Sequence, residues 1–372
     1  MAKMFDIAVL GATPAGCAAA CYLAARKARV ALVDCPHVDC ESPIADWAPR
    51  GFLEAADLPK TAARSAGATD FRIVRYHDAK LARQVEYTTR GPAGAVMHAA
   101  DLIKALVARA KKAGVSVRRM PERPAIQLGE DSVLLAGAAK VSARLLLVAQ
   151  GRPTEVLSDL ALPVRAPPQS PFVAVGLDVP LGSRKLPRHL SGVLNVAASE
   201  TRGKLGLFFA AGRALHVRVV SSVGLEGPPA ADLSALVARL QSADILPAKL
   251  PLGRARAAAW HPPAAEALDL ETHAAKRCLL CGTAGGFVDT ITAQTLAPSI
   301  RSAVIAADVA LAALKSKDPQ DALMRYKNEW RKRLADALRP PSTPVHMLLP
   351  LLFANKHLVC RFTRALLYGQ SI

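Results

Sequence analysis

An α/β fold is expected from the sequence: a doubly wound parallel sheet, interrupted by a β-rich insert and followed by a helical tail. Three observations carry that expectation. The chain opens as strand, glycine turn, helix and strand, which is the βαβ unit of a parallel sheet. Its middle is a series of short apolar strands between proline-marked loops. Beyond Leu296 the apolar spacing is helical almost to the end.

Phe5 to Leu10 is a β-rich run and Gly11-Ala12-Thr13-Pro14-Ala15-Gly16 a tight turn. Cys17 to Ala28 is an alanine-rich helix, and Val30 to Val33 a second buried strand ended by Asp34. From Cys35 to about Ala95 an irregular stretch is expected, punctuated by Pro36, Pro43, Pro49 and Pro59. A helix follows from about Ala99 to Ala113, with Leu102, Leu106 and Ala110 on one face and Gly114 as its stop. Strands are expected at Ala125–Leu128, Val133–Leu135 and Leu145–Ala149, the last ending at Gln150-Gly151. The middle adds strands at Phe172–Val179, Val193–Ala198, Leu205–Phe209 and Ala214–Ser221, with a helix near Asp232–Leu240. Arg277–Cys281 is a returning strand and Leu296–Leu314 a long helix. Asp318-Pro319 places an N-cap residue before a proline at the first helical position. Leu323, Tyr326, Trp330, Leu334 and Leu338 then share one apolar face until Pro340 and Pro341.

Composition narrows the function. A chain of 372 residues suggests two or three lobes at roughly 100 to 200 residues each. An apolar share of 51% with 21% charged residues excludes a disordered chain. Lys and Arg exceed Asp and Glu by 48 − 30 = +18, but aromatics are only 5%, so a base-stacking nucleic-acid binder is disfavoured and no nucleic acid is expected as a partner. Seven cysteines, an odd number, do not make a disulfide scaffold; a reducing, cytoplasmic setting is the simpler reading. Asp6 interrupts the apolar start, against a signal peptide, and Asp308 interrupts the best membrane-span candidate, Ala303–Leu314.

The chemistry concentrates in the first turn. In a dinucleotide site the first glycine makes the tight turn, the last lets helix and strand pack closely, and the helix N-terminus faces a pyrophosphate. Gly11 and Gly16 hold those two places, and Thr13 replaces the middle glycine. Asp34 lies 34 − 11 = 23 positions after Gly11, where an acid accepts hydrogen bonds from a ribose. The plain alternative is a βα turn of any α/β fold, and an NAD-type site would suit Asp34 equally.

Gly11 to Gly16 resembles the Gly-x-Gly-Pro-Ala-Gly fingerprint of FAD-dependent oxidoreductases. Leu146–Thr154, containing Gln150-Gly151-Arg152, resembles their second flavin motif, and Leu279–Asp289, containing Gly282-Thr283-Ala284-Gly285-Gly286-Phe287-Val288-Asp289, their third. The continuation through Thr292, Ala293, Gln294, Thr295 and Leu296 is similar to the geranylgeranyl reductase branch, as are Tyr326 and Trp330. The resemblance implies a glutathione-reductase-type FAD/NAD(P)-binding domain at 1–165 and 263–316, an inserted β-rich substrate domain at 166–262, and a helical tail at 317–372. It implies FAD held by Gly11, Thr13, Pro14, Ala15, Gly16, Asp34, Cys35, Gln150, Gly151, Gly282, Thr283, Thr295 and Leu296, with the helix after the third motif aimed at the isoalloxazine. The activity implied is reduction, or alternatively hydroxylation, of a small hydrophobic, isoprenoid-like substrate. Several positions depart from the pattern: Ala99 stands where the family has an arginine, Gln150 and Thr283 where it has acids, and Ala293 and Thr295 where it has glycines. Those losses motivate a second hypothesis, a binding or scaffold protein that kept the fold and lost FAD.

Other candidates read as packing. Cys278 and Cys281 fall three apart on a strand and so point to opposite faces. Cys17 and Cys21 lie a turn apart on a helix, Cys35 and Cys40 read as loop thiols, and with His37 they match no common zinc spacing. His98 is expected as a capping or solvated side chain or near the flavin, His216 as outward-facing, and His261 at the border of the substrate cavity. From Asp321 to Ile372 nine Lys or Arg meet three Asp or Glu, next to Met347-Leu348-Leu349, Leu351-Leu352-Phe353 and Leu366-Leu367. That suits either an anionic membrane surface or a packed helix pair with a solvated basic face.

Overall fold

The computed structural model describes residues 4–35, 42, 44–150, 157–162, 172–181, 187–199, 201, 203–222, 229–264 and 266–370. It opens with β1 (Phe5–Leu10), α1 (Pro14–Ala25) and β2 (Val30–Asp34). Thr13 caps α1 by accepting from the Gly16 N–H, and Pro14 takes the first helical position, where its missing N–H is no loss. Apolar on all sides, α1 is buried from Pro14 to Leu23.

The stretch expected to be irregular carries regular structure instead. It holds β3 (Asp46–Pro49), a 3₁₀ turn (Glu54–Ala56), α2 (Thr61–Ser65), β4 (Thr69–Phe71), β5 (Ile73–His77), β6 (Gln84–Thr88) and β7 (Gly94–Met97). Of the prolines that suggested a loop, Pro49 ends β3 and Pro59 precedes α2, places that strands and helices tolerate, while Pro36 and Pro43 lie outside the described residues. After α3 (Ala99–Lys112) come β8 (Ser116–Arg119), β9 (Ala125–Leu128), β10 (Val133–Ala136) and β11 (Lys140–Val148). The middle supplies β12 (Val173–Pro180), β13 (Val193–Ala198), β14 (Lys204–Ala211), β15 (Ala214–Ser221), α4 (Pro229–Ser242) and β16 (Arg256–Trp260). Then follow α5 (Glu266–Asp269), β17 (Ala274–Ala275), β18 (Cys278–Leu280), α6 (Leu296–Lys315), α7 (Pro319–Met324), α8 (Tyr326–Leu338), α9 (Val345–Leu352) and α10 (Lys356–Tyr368).

The first sheet is ordered β17-β18-β11-β1-β2-β8, with the β9–β10 hairpin beside β11. From β18 to β8 its strands are parallel, and Val9 pairs with Leu147 on one side and Leu32 on the other. Both faces are covered, as parallel strands require. Ile7, Val9, Leu145 and Leu147 pack on α1, α3 and α6, while Ala8, Leu10, Leu146 and Val148 face Met120, Leu135 and Leu157. By length and composition α6 is able to cross a membrane, yet it is a core helix here, with Ala303, Ala306, Ala307 and Ala310 fully buried. Tyr326, Trp330, Leu334 and Leu338 pack on it with Leu323, although the expected single helix breaks at Arg325 between α7 and α8.

The second sheet is ordered β16-β12-β15-β14-β13-β5-β6, so it draws strands from either side of residue 165. Leu215, Val217 and Val219 face α4, and the opposite face packs on Trp47, Phe71, α9 and α10. A small third sheet, β3-β7-β4, joins the two larger ones.

Candidate functional site

The three motif segments meet at the carboxyl ends of β1, β11 and β18. Gly11 has φ +109°, and a Cβ there would lie 2.1 Å from Gln150 Cβ; a Cβ on Gly16 would lie 2.0 Å from the Gly11 carbonyl. Only glycine fits either place. Gly282, at φ +62°, backs onto the first motif: its Cβ would fall 2.8 Å from Ala15 Cβ. Its N–H donates to Ser302 Oγ at 2.9 Å. Thr13 accepts from the Gly16 N–H at 3.1 Å and donates its hydroxyl to the Ala149 carbonyl at 3.1 Å. The Thr13 hydroxyl proton is therefore spent within the turn. Pro14 brings no N–H, so this helix end offers an anion fewer donors than an all-glycine turn does.

Among the described residues, two polar atoms beside this turn have no partner. Gln150 donates through Nε2 to the Cys35 carbonyl, while its Oε1 is buried without a hydrogen bond. Thr283 Oγ1 is buried and unpaired in the 3₁₀ turn that follows β18. Asp34 ends β2, and its carboxylate has no hydrogen-bond partner among the described residues. Burial, with the neighbouring Asp34 charge, pushes the Cys35 thiol up to about 11, so it stays protonated and is no nucleophile at neutral pH. Gly151, His37 and Cys40 lie outside the described residues.

The amino end of α6 is arranged differently. Asp46 Oδ2 accepts from the backbone N–H and the hydroxyl of Thr295, each at 3.2 Å. Asp46 Oδ1 accepts from Arg218 Nη1 at 3.1 Å and from the Trp47 N–H at 2.9 Å. Arg218 also donates to the Ala45 carbonyl at 2.8 Å. The helix expected to aim at an isoalloxazine thus starts on the protein's own carboxylate, with Leu296 fully buried behind it. Ala293 is forced to φ +58°, where the resemblance has glycine. Asp289 closes the turn by accepting from the N–H groups of Ile291 and Thr292 and the Thr292 hydroxyl. Burial, reinforced by the charge of Asp46, holds its carboxyl above the usual carboxylate range.

Sequence reasoning missed Asp46, Arg218 and Asp178. The available signal was the pattern His216-Val217-Arg218-Val219, which puts two basic side chains on one face of a strand. Sequence alone places His216 outward, because alternation normally marks one solvated side. This sheet is covered on both sides, so His216 turns inward and meets Asp178 at 2.5 Å. His98 precedes α3 without capping it, and its Nε2 lies 3.6 Å from Asp178. His261 is exposed and does not line the cavity near the second sheet. That cavity, of about 170 Å³, lies between Phe172, Leu205 and Val220 on one side and Ile291, Val345 and Leu349 on the other. Cys278 and Cys281 do pack into clusters on opposite faces, and burial raises both thiols. Cys17 and Cys21 are buried core residues.

No family model and no curated protein matches the chain. Solved structures do. A geranylgeranyl bacteriochlorophyll reductase-like protein from Thermoplasma acidophilum superposes with a TM-score of 0.72 at 16% identity, over 95% of this chain and 87% of its own. A flavoprotein/dehydrogenase from Cytophaga hutchinsonii gives 0.69 at 15% identity, over 90% and 83%. A halogenase variant in complex with FAD gives 0.68 at 15%, over 90% and 74%. With its parallel dinucleotide-type sheet, β-rich second sheet and helical end, the chain has the fold of the FAD-binding oxidoreductases.

Proposed function

We propose that the chain is a FAD-dependent oxidoreductase acting on an apolar substrate. One observation carries this reading: Gln150 Oε1 and Thr283 Oγ1 are buried and unpaired at the second and third motif positions, beside an intact Gly11–Gly16 turn. Each such atom costs about 1–3 kcal/mol unless something pairs with it. The hydroxyls of a dinucleotide are suitable partners, so the residues fit the dinucleotide half of FAD. The amino end of α1, with Ala15 and Gly16, takes the pyrophosphate, and Asp34, with Cys35 beside it, takes the adenosine ribose. Gln150 and Thr283 take sugar and ribityl hydroxyls, while Thr295, whose N–H and hydroxyl are both spent on Asp46, and the fully buried Leu296 stand outside this site. The bound flavin supplies hydride transfer; the protein supplies position and a dry site.

The finer reading is reduction, rather than hydroxylation, of an isoprenoid-like double bond. The resemblance of the third motif to the reductase branch and the apolar lining of the 170 Å³ cavity support it. That volume is below the roughly 300–1,000 Å³ of ordinary ligand pockets, so it takes the reacting end of a substrate rather than a long chain. The absorption spectrum of the purified protein, before and after FAD reconstitution, tests the reading. Bound flavin is the expected result; a colourless protein that rejects FAD overturns it.

A second reading, a cofactor-free binding or scaffold protein, is favoured by the Asp46 carboxylate at the amino end of α6. It expects no flavin in wild type and a gain of FAD affinity in Thr283→Asp with Ala99→Arg. We also propose that a cytoplasmic form of this protein docks on anionic lipid. Met347 and Leu351 are exposed a turn apart on α9, beside exposed Lys356, Arg361 and Arg364. Sedimentation with phosphatidylserine vesicles should fall in Met347→Asp with Leu351→Asp, and equal sedimentation rejects docking.

A further inference from the structure

Three side chains that the cofactor turn leaves unused converge where the small sheet meets the second one. Asp178 on β12 and His216 on β15 are direct partners in the antiparallel register. His98 comes from the other side, between β7 and α3. His216 Nδ1 lies 2.5 Å from Asp178 Oδ1, and His98 Nε2 lies 3.6 Å from Asp178 Oδ2. One donor atom from each residue falls within 4.8 Å of the other two. In a tetrahedral site with metal–nitrogen bonds of about 2.0–2.1 Å, donor atoms stand about 3.3 Å apart. The observed separations bracket that value.

We propose that His98, Asp178 and His216 bind a divalent transition-metal cation. Two imidazoles and a carboxylate are a donor set suited to zinc and its neighbours rather than to calcium or magnesium. Two of the three donors are held rigidly. The side chains of His216 and Asp178 are 6% and 13% exposed, and the Phe209 ring lies 5.3 Å from His216. His98 is 39% exposed, which gives the cation a route in and leaves its outer side open to water or a small oxygen ligand. Three protein donors and one open position form the pattern of a reactive rather than a closed structural site. The nearby charges are few. Arg256 pairs with Asp178 across the β12–β16 register and is itself exposed. Asp101, in the first turn of α3, is occupied by Lys104 at 2.9 Å. A bound cation ties the segment before α3 to the second sheet, whether or not FAD is present.

Zinc is the probe. Metal-stripped full-length protein is titrated with Zn²⁺ against a chromophoric chelator, with and without added FAD. The expected result is one equivalent bound, weakened at least tenfold in His98→Ala, Asp178→Asn and His216→Ala. His98 is half-exposed, so His98→Ala keeps the fold, which its circular dichroism melt checks, even where His216→Ala does not. In wild type Co²⁺ should give visible ligand-field bands that His98→Ala loses. Absence of stoichiometric zinc in wild type, or zinc binding that His98→Ala leaves unchanged, overturns the proposal. A colourless protein that still binds one zinc through His98 rejects the flavin reading alone.

Discussion

Two helix N-termini of this molecule face opposite circumstances. The amino end of α1 has no acidic residue in its first turn, and the polar atoms of Gln150 and Thr283 beside it are left unpaired. The amino end of α6 receives a buried carboxylate that accepts four hydrogen bonds and is paired with Arg218 from another sheet. A helix N-terminus carries about half a positive charge. At α6 that charge is answered by a buried carboxylate; at α1, among the described residues, it is answered only by the Thr13 hydroxyl, which accepts from the Gly16 N–H. On the proposed function, the difference separates a joint, which holds sheets and helix together although Trp47 Nε1 and Arg218 Nε there are also unpaired, from a site that a dinucleotide would complete.

The comparison is open to being broken by substitution. The largest effect is expected at the joint. Arg218→Ala leaves Asp46 buried without its counter-charge, which costs about 3–5 kcal/mol; urea denaturation measures it, and a loss below about 1 kcal/mol would mean that this pair does not hold the sheets together. At the site the expectation reverses with ligand. Thr283→Val should weaken FAD binding by about tenfold, the equivalent of one hydrogen bond worth about 1.4 kcal/mol. Without FAD the same variant should be at least as stable as wild type, because the hydroxyl it removes has no partner. Unchanged affinity would take Thr283 out of the site.

Smaller effects sharpen the contrast. Ala293 sits at φ +58° in the turn before α6. Ala293→Gly should raise stability by about 1 kcal/mol, since a side chain there is strained by about that amount; thermal melting reads it, and no change would mean that the turn relaxes. Glu266 backs onto Gly286 of the third motif. Burial, then the charge of Asp269, pushes its carboxyl from 4.5 up to about 7. A raised carboxyl favours the folded state while protonated, so its contribution is complete below about pH 4.5 and is lost as pH rises to about 7. Denaturation at pH 5 and pH 8 should show wild type falling relative to Glu266→Gln across that range. Parallel profiles would reject the linkage.

Much of this was legible in residue order. The βαβ opening, the four strands between Val173 and Ser221, and the Asp318-Pro319 helix start follow from local period and capping, which neighbours in sequence express directly. The strands between Asp46 and Met97 were not legible. They are short, their prolines sit at element ends, and they pair with partners distant in sequence, such as β5 with β13. The partners of His98 and His216 were hidden for a related reason: a strand covered on both faces shows the same alternation as one with a solvated side.

Gly11, Gly16 and Gly282 belong to what residue order establishes, because each position admits no side chain and glycine is the one residue that meets the need. The partner of Thr295 does not. A threonine before an apolar helix announces a cap, but Asp46 reaches it across 249 positions, and Arg218 meets Asp46 across 172. Such pairings arise when three sheets and a helix close on one another, since burial leaves each charged group only the partners that the packing brings within reach.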